Sequence, residues 1–196
     1  MYGLTNRAIQ RFVTDTYGEE MWSEVASTAA LGFETFEPLL IYDPTITESV
    51  INAASFELER NRGDFLEDLG QYLVTHPNSE PIRRLLRFGG ACFTEFLESL
   101  EDVPERARLA LPDREFPPVM LHQVGPHHFI LLIEAELEGI GHIVIGALRG
   151  MADDYGVLAT IEHRGRYQGS DRLTIAVHDE RFSEGRQFNL VEQVPG

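Results

Sequence analysis

"FLESLEDVPERARLALPDREFPPVMLHQV", residues 96–124, is where one kind of chain becomes another. Leading into it and through its first half, apolar residues recur at positions 93, 97, 100, 104, 107 and 111, the three-and-four spacing of a helix that buries one face. Pro117 and Pro118 close that pattern, since neither has the N–H that a continuing helix needs. Beyond them "VMLHQV" and "FILLIEAELE" alternate with the two-residue period of strands, joined by the turn-like "GPHH". Helices precede the boundary and strands follow it. On the buried stripe sits Pro104, a residue that typically costs ~3 kcal/mol inside a helix. The helix carrying Phe96 to Leu100 is expected to kink or break within a few residues of it, because the ring meets the carbonyl of Leu100.

Toward the N-terminus the helical spacing continues. Leu4, Ala8, Ile9, Phe12 and Val13 make one stripe, and Met21, Trp22, Val25 and Ala29 the next. "DPTITESVINAASFELE" carries a capping box, Thr45 with Glu48, that should start a helix. Phe65, Leu66, Leu69, Tyr72 and Leu73 form a further stripe, and Ser79 reads as the cap of a helix that stops at Gly89. Toward the C-terminus, "GIGHIVIGALRGMADDYG" returns to helical spacing before the strands "VLATIEHRGR" and "RLTIAVHD". In "FILLIEAELE", alternation sends Ile133, Ala135 and Leu137 to one face and Glu134, Glu136 and Glu138 to the other. The expected class is α+β: a helical N-terminal subdomain (1–112), an antiparallel-sheet subdomain with one inserted helix (113–182), and a polar tail (183–196), all in one domain.

Composition narrows the function. The chain has 196 residues, 43% of them hydrophobic, enough for a substantial core. Its longest apolar run, "FILLI" (residues 129–133), is far short of the roughly 20 residues that a bilayer demands, and "MYGLTNRAIQ" lacks the apolar core of an export signal. No membrane association and a cytoplasmic location are expected. With 16 basic against 32 acidic residues, a net charge of −16, the surface repels phosphate backbones, and nucleic acid is set aside as a partner. Cys92, the one cysteine, reads as a packed thiol. His127 and His128 are adjacent and diverge along an extended chain; His122, His142, His163 and His178 stand singly, without metal-binding spacing. Asp153 and Asp154 read as a solvated helix end. There is no nucleophile elbow, P-loop or dinucleotide fingerprint, and no enzyme is expected.

"MYGLTNRAIQRFVTDTYGEEMW", "IYDPTITESVINAAS", "FLESLEDVPERARLALPDREFPP" and "EGIGHIVIGALRG" together resemble the heme-NO/O2-binding (H-NOX) domains, including the one in soluble guanylate cyclase. The resemblance covers nearly the whole chain. It implies a helical subdomain and an α+β subdomain clasping a heme whose iron reports nitric oxide or oxygen to a signalling partner, a kinase or a cyclase. In that family a histidine in an L-D-x-L-H pattern holds the iron. Here the stretch is "SLEDVPE", and Pro104 stands in the histidine's place. The family's propionate anchor, Y-x-S-x-R, corresponds to Ile133, Ala135 and Leu137. Pro117 matches a proline that presses on the heme ring, and Ile143 and Ala147 match positions lining the distal side. The resemblance thus makes Thr5, Pro104, Pro117, Ile133, Ala135, Leu137, Ile143 and Ala147 the pocket candidates, with no catalytic and no metal residue.

A proline nitrogen is an amide and has no lone pair to give iron, so no cofactor is expected by the family's ligation. Two readings follow: a regulatory protein of this fold acting through protein–protein contact, or a sensor that takes heme, another tetrapyrrole or an apolar small molecule by other contacts. For the first, Ile133 and Leu137 are expected to pack against apolar side chains of the helical half.

Overall fold

A computed structural model describes residues 3–79, 83–84, 86, 89–110, 117–135 and 137–179. The elements are α1 (Gly3–Tyr17), α2 (Glu19–Thr28), α3 (Pro44–Glu57), α4 (Arg62–Thr75), α5 (Phe93–Glu98), α6 (Val103–Ala110), β1 (Val119–Gly125), β2 (His128–Glu134), α7 (Ile140–Tyr155), β3 (Leu158–Tyr167) and β4 (Ser170–Asp179). Short 3-10 turns occupy Pro77–Ser79 and Ser99–Asp102. The chain forms two compact units that interleave in sequence: Met1–Arg83 with Ala135–Leu148, and Arg84–Glu134 with Arg149–Gly196. Periodicity changes at residue 112, but compactness divides the chain elsewhere. Residues 90–101 bond to the sheet unit: the Glu101 carboxylate accepts from Leu121 N at 2.9 Å, and Tyr155 donates to the Gly90 carbonyl at 3.0 Å.

In the first unit, α1 packs on α2, α3 and α4. Ile9, Phe12, Val13, Trp22, Val25 and Phe65 are buried in one apolar core together with Val50, Ile51, Leu66 and Leu69. Each such side chain contributes about 1.5–3 kcal/mol by leaving water. Leu4, expected on the inward stripe, is instead exposed in the first turn of α1. The capping box expected at Thr45 is not what starts α3. Asp43 is the cap, its side chain accepting from Thr45 N at 2.9 Å, and Pro44 takes the first turn, where its missing N–H has no partner to lose. α4 is capped by Asn61, which accepts from Asp64 N. Ser79 lies in a 3-10 turn, and most of the helix expected between it and Gly89 is outside the described residues.

The second unit carries a four-stranded antiparallel sheet in the order β1-β2-β4-β3. The hairpin turn falls at Pro126 and His127, as its sequence implies. Alternation is clean on β2, where Phe129, Leu131 and Ile133 are buried, and on β4, where Leu173, Ile175 and Val177 are. Phe129 pairs with Ile175, and Leu131 with Leu173, so these side chains share one face. The tail, residues 183–196, lies outside the described residues.

Candidate ligand site

Around Pro104 the expected break is present. α5 stops at Glu98, the next four residues tighten into a 3-10 turn, and α6 starts anew at Val103. Pro104 is therefore the second residue of a helix, a position where no intrahelical bond is lost. Its ring is buried, on the same stripe as Phe93, Leu97, Leu100 and Ala107. Arg106 reaches back across the break and donates to the Ser99 carbonyl at 2.8 Å. Among the described residues no group of three or more His, Cys, Asp or Glu side chains is placed to hold a metal ion. Cys92 is a free, half-buried thiol at the start of α5.

The strand carrying Ile133, Ala135 and Leu137 was expected to run through Glu138; it ends at Glu134. Glu134 N donates to the Pro118 carbonyl, and the residues beyond turn through Gly139, whose φ of +87° only glycine adopts freely. The three positions therefore do not share a strand face. Ile133 is 1% exposed in the sheet, Ala135 is half-buried in the connection, and Leu137 is buried in the helical core. Leu137 thus packs as expected, while Ile133 belongs to the other unit. Opposite Ile133 on β4 is Asp171, 2% exposed, and its carboxylate lies 3.2 Å from His163 Nε2. Cross-strand partners point to the same side, so a buried carboxylate adjoins Ile133.

Ile143 and Ala147 lie on α7 where it crosses α4 at very short range. A Cβ on Gly146 would fall 1.8 Å from the Glu67 carbonyl oxygen, and one on Gly70 would fall 1.9 Å from the Ile143 oxygen. The backbones of Ile143 and Ala147 are thus part of the crossing, and the Ile143 side chain packs on the helical core. His142 Nδ1 sits 3.0 Å from the Glu67 carboxylate at the same crossing. Arg62 secures the connection that leads into α7: it pairs with Glu48 at 2.8 Å and donates to the Glu138 carbonyl at 2.9 Å. Thr5 is half-buried in the first turn of α1, and Pro117 is half-buried just before β1.

One titratable cluster was not expected. Tyr72 donates to Asp15 at 2.5 Å, Asn78 Nδ2 donates to the same oxygen at 2.8 Å, and His76 stacks on the Tyr72 ring at 4.6 Å. The Tyr72 hydrogen bond is the largest cause holding the Asp15 carboxyl below its usual range. Burial, and then the Asp15 carboxylate, push the Tyr72 phenol up to about 12. Its members lie 57 and 63 residues from Asp15, and no local pattern connects them.

The profile of the Haem-NO-binding family matches residues 2–163 of this chain. The chain belongs to the Haem-NO-binding family. Soluble guanylate cyclase 89Db of Drosophila melanogaster is 20% identical over 155 residues, covering 79% of this chain and 23% of that protein. Soluble guanylate cyclase gcy-31 of Caenorhabditis elegans is 22% identical over 154 residues, covering 79% and 22%. The chain therefore spans about a quarter of the length of the curated relatives it matches. Among solved structures, the Fe(II) unliganded H-NOX protein from K. algicida superposes with a TM-score of 0.77 at 16% identity, over 91% of this chain and 97% of that one. The S. oneidensis H-NOX protein in the Fe(II)NO state gives 0.75 at 17% identity, over 91% and 100%. At these identities the likeness to solved structures is one of fold.

At the positions where the resemblance places the family's heme contacts, the side chains are an amide ring and hydrocarbon. Pro104 offers an amide nitrogen, and neither α5 nor α6 contains a histidine. Ile133 offers hydrocarbon, with the Asp171 carboxylate as its neighbour. A propionate seated there would meet the Asp171 carboxylate and a hydrocarbon side chain in place of the family's polar anchor. The Haem-NO-binding family resemblance reaches the first two of these positions from sequence; the third needs the strand register.

Proposed function

We propose that this chain is a regulatory protein of the H-NOX fold that acts by contact with a signalling partner and does not depend on iron-ligated heme. Pro104 carries the reading. The residue that should donate to iron is buried as the second residue of a restarted helix, where a proline is structurally at home. Asp171 beside Ile133 and the apolar burial of Leu137 support it. The partner is a kinase or a cyclase, in keeping with relatives named as soluble guanylate cyclases, and the complex is cytoplasmic. Among the described residues no helix is long and apolar enough to cross a membrane.

The test is titration of the purified protein with hemin, followed by absorption in the Soret region. Neither the native chain nor Pro104→His should show saturable one-to-one uptake, because the substitution restores a nitrogen ligand but leaves Ile133 and Asp171 in place. Tight stoichiometric uptake by the native chain would overturn the proposal in favour of a sensor with other contacts. Uptake by Pro104→His alone would show that the anchor positions matter less than the ligand.

A further inference from the structure

The connection between α2 and α3 displays Leu39, Leu40 and Ile41 to solvent at 79%, 55% and 74% exposure. Three consecutive aliphatic side chains in water are unusual on a loop, where polar residues and glycine are the norm. Here the loop is tied down from the inside. Phe36 is fully buried and packs edge-on against Phe33 and Tyr42, each at 5.0 Å. Gln10 holds both sides of the turn, accepting from Phe36 N at 3.1 Å and donating to the Glu34 carbonyl at 3.2 Å. Trp22 donates to that same carbonyl at 2.9 Å, Glu37 N donates to the Tyr42 hydroxyl, and Gly3 N donates to the Leu40 carbonyl at 2.8 Å. Phe36 fills the interior, and the aliphatic residues are held outward. Leu4 and Phe33, each 38% exposed, extend the apolar surface beside it.

The loop itself carries charge of one sign, and Arg7 of α1 adjoins it through Gln10 Oε1, to which it donates at 3.0 Å. All sixteen basic residues of the chain are arginines, and none falls between Arg11 and Arg60, an interval that contains ten carboxylates. Glu34, Glu37 and Asp43 on the loop itself are exposed. A second copy of the chain would bring the same carboxylates against these, and an anionic membrane would be repelled. A cationic partner with apolar side chains meets both features.

We propose that the Leu39–Leu40–Ile41 loop docks a basic amphipathic helix of a partner protein, its apolar face on the aliphatic triple and its Lys or Arg residues toward Glu34 and Glu37. This builds on the reading of the chain as a partner-binding regulator and supplies the chemistry of the partner. An apolar stripe flanked by cations is a standard helix-docking pattern. The surface is preorganised, so little ordering opposes binding.

The probe is a fluorescein-labelled, 18-residue amphipathic peptide of leucine and lysine, compared by fluorescence anisotropy with a leucine and glutamate peptide of the same spacing. The lysine peptide should bind saturably and the glutamate peptide should not. Leu39→Ser with Ile41→Ser should weaken binding by about tenfold or more, and Glu34→Gln with Glu37→Gln should weaken it and reduce its salt dependence. Leu158→Ser, at an exposed aliphatic residue on the sheet unit, should leave it unchanged. These side chains are exposed, and circular dichroism checks that every variant is folded. Absent binding, or binding indifferent to the loop variants, would overturn the proposal. So would loop-dependent self-association in sedimentation, or loop-dependent binding to phosphatidylcholine vesicles. Hemin uptake by the native chain would defeat the reading without iron and leave the peptide result standing; failure of the peptide would leave the argument from Pro104 intact.

Discussion

Gly146→Ala adds one methyl group, and its cost follows from the crossing of α4 and α7. That methyl would sit 1.8 Å from the Glu67 oxygen and 2.9 Å from Gln71 N, both backbone atoms that cannot rotate away. Carbon–oxygen contacts under 3.0 Å are essentially unknown for a real Cβ, so the helices must part by about 1 Å or more. A gap of that size forfeits roughly a quarter to a half of the dispersion energy of each contact at the seam, and Leu66, Leu69, Ile140 and Ile143 all pack there or beside it. Overpacking typically costs about 1–3 kcal/mol and more against backbone, while alanine's better helix propensity returns up to about 1 kcal/mol. The expected net loss is about 2 kcal/mol. For a chain of this length that lowers Tm by roughly 4–8 °C, measurable by calorimetry or by circular dichroism. Gly32→Ala is the control, since nothing lies within 4 Å of the added carbon. A Tm for Gly146→Ala equal to or above the native value would refute the close crossing, and with it the placement of Ile143 and Ala147.

Tyr72→Phe removes the main hydrogen bond to Asp15, leaving that of Asn78, and should cost about 1–2 kcal/mol by urea denaturation at pH 7. Asp15 has its folded pKa depressed, so its contribution is present above the ordinary carboxylate value and is lost as pH falls through the lower folded one. Tyr72→Phe should accordingly flatten the acid limb of a stability profile taken below pH 5; an unchanged acid limb would show that Asp15 does not set it. The native protein should also lose stability as pH rises from about 10 to about 12, where the unfolded phenol ionises and the folded one resists, and Tyr72→Phe should lack that loss. Asp43→Ala should lower stability to urea as a lost cap, and by more than Thr45→Val does. The reverse order would return the start of α3 to Thr45.

What sequence alone determined was local and periodic. The change of period around Pro117 and Pro118 announces helices before strands, the hairpin turn at Pro126 is written in its residues, and the break near Pro104 follows from a missing N–H within four residues of its effect. The resemblance to the H-NOX family is equally legible, since it is a statement about residue identity. Small residues in "GIGHIVIGALRG" hint at close packing but do not name α4 as the partner. Tertiary structure alone decided the rest. β2 ends at Glu134, although alternation of residue types continues to Glu138, because the Gly139 turn and the burial of Leu137 in the helical core outweigh strand propensity. Glu67 meets His142 across 75 residues, and Tyr72 meets Asp15 across 57. Asp171 comes to lie beside Ile133 only through the register of β2 with β4. Such pairings leave no mark on either local stretch, because a periodicity records which face of an element is buried and not what is buried against it.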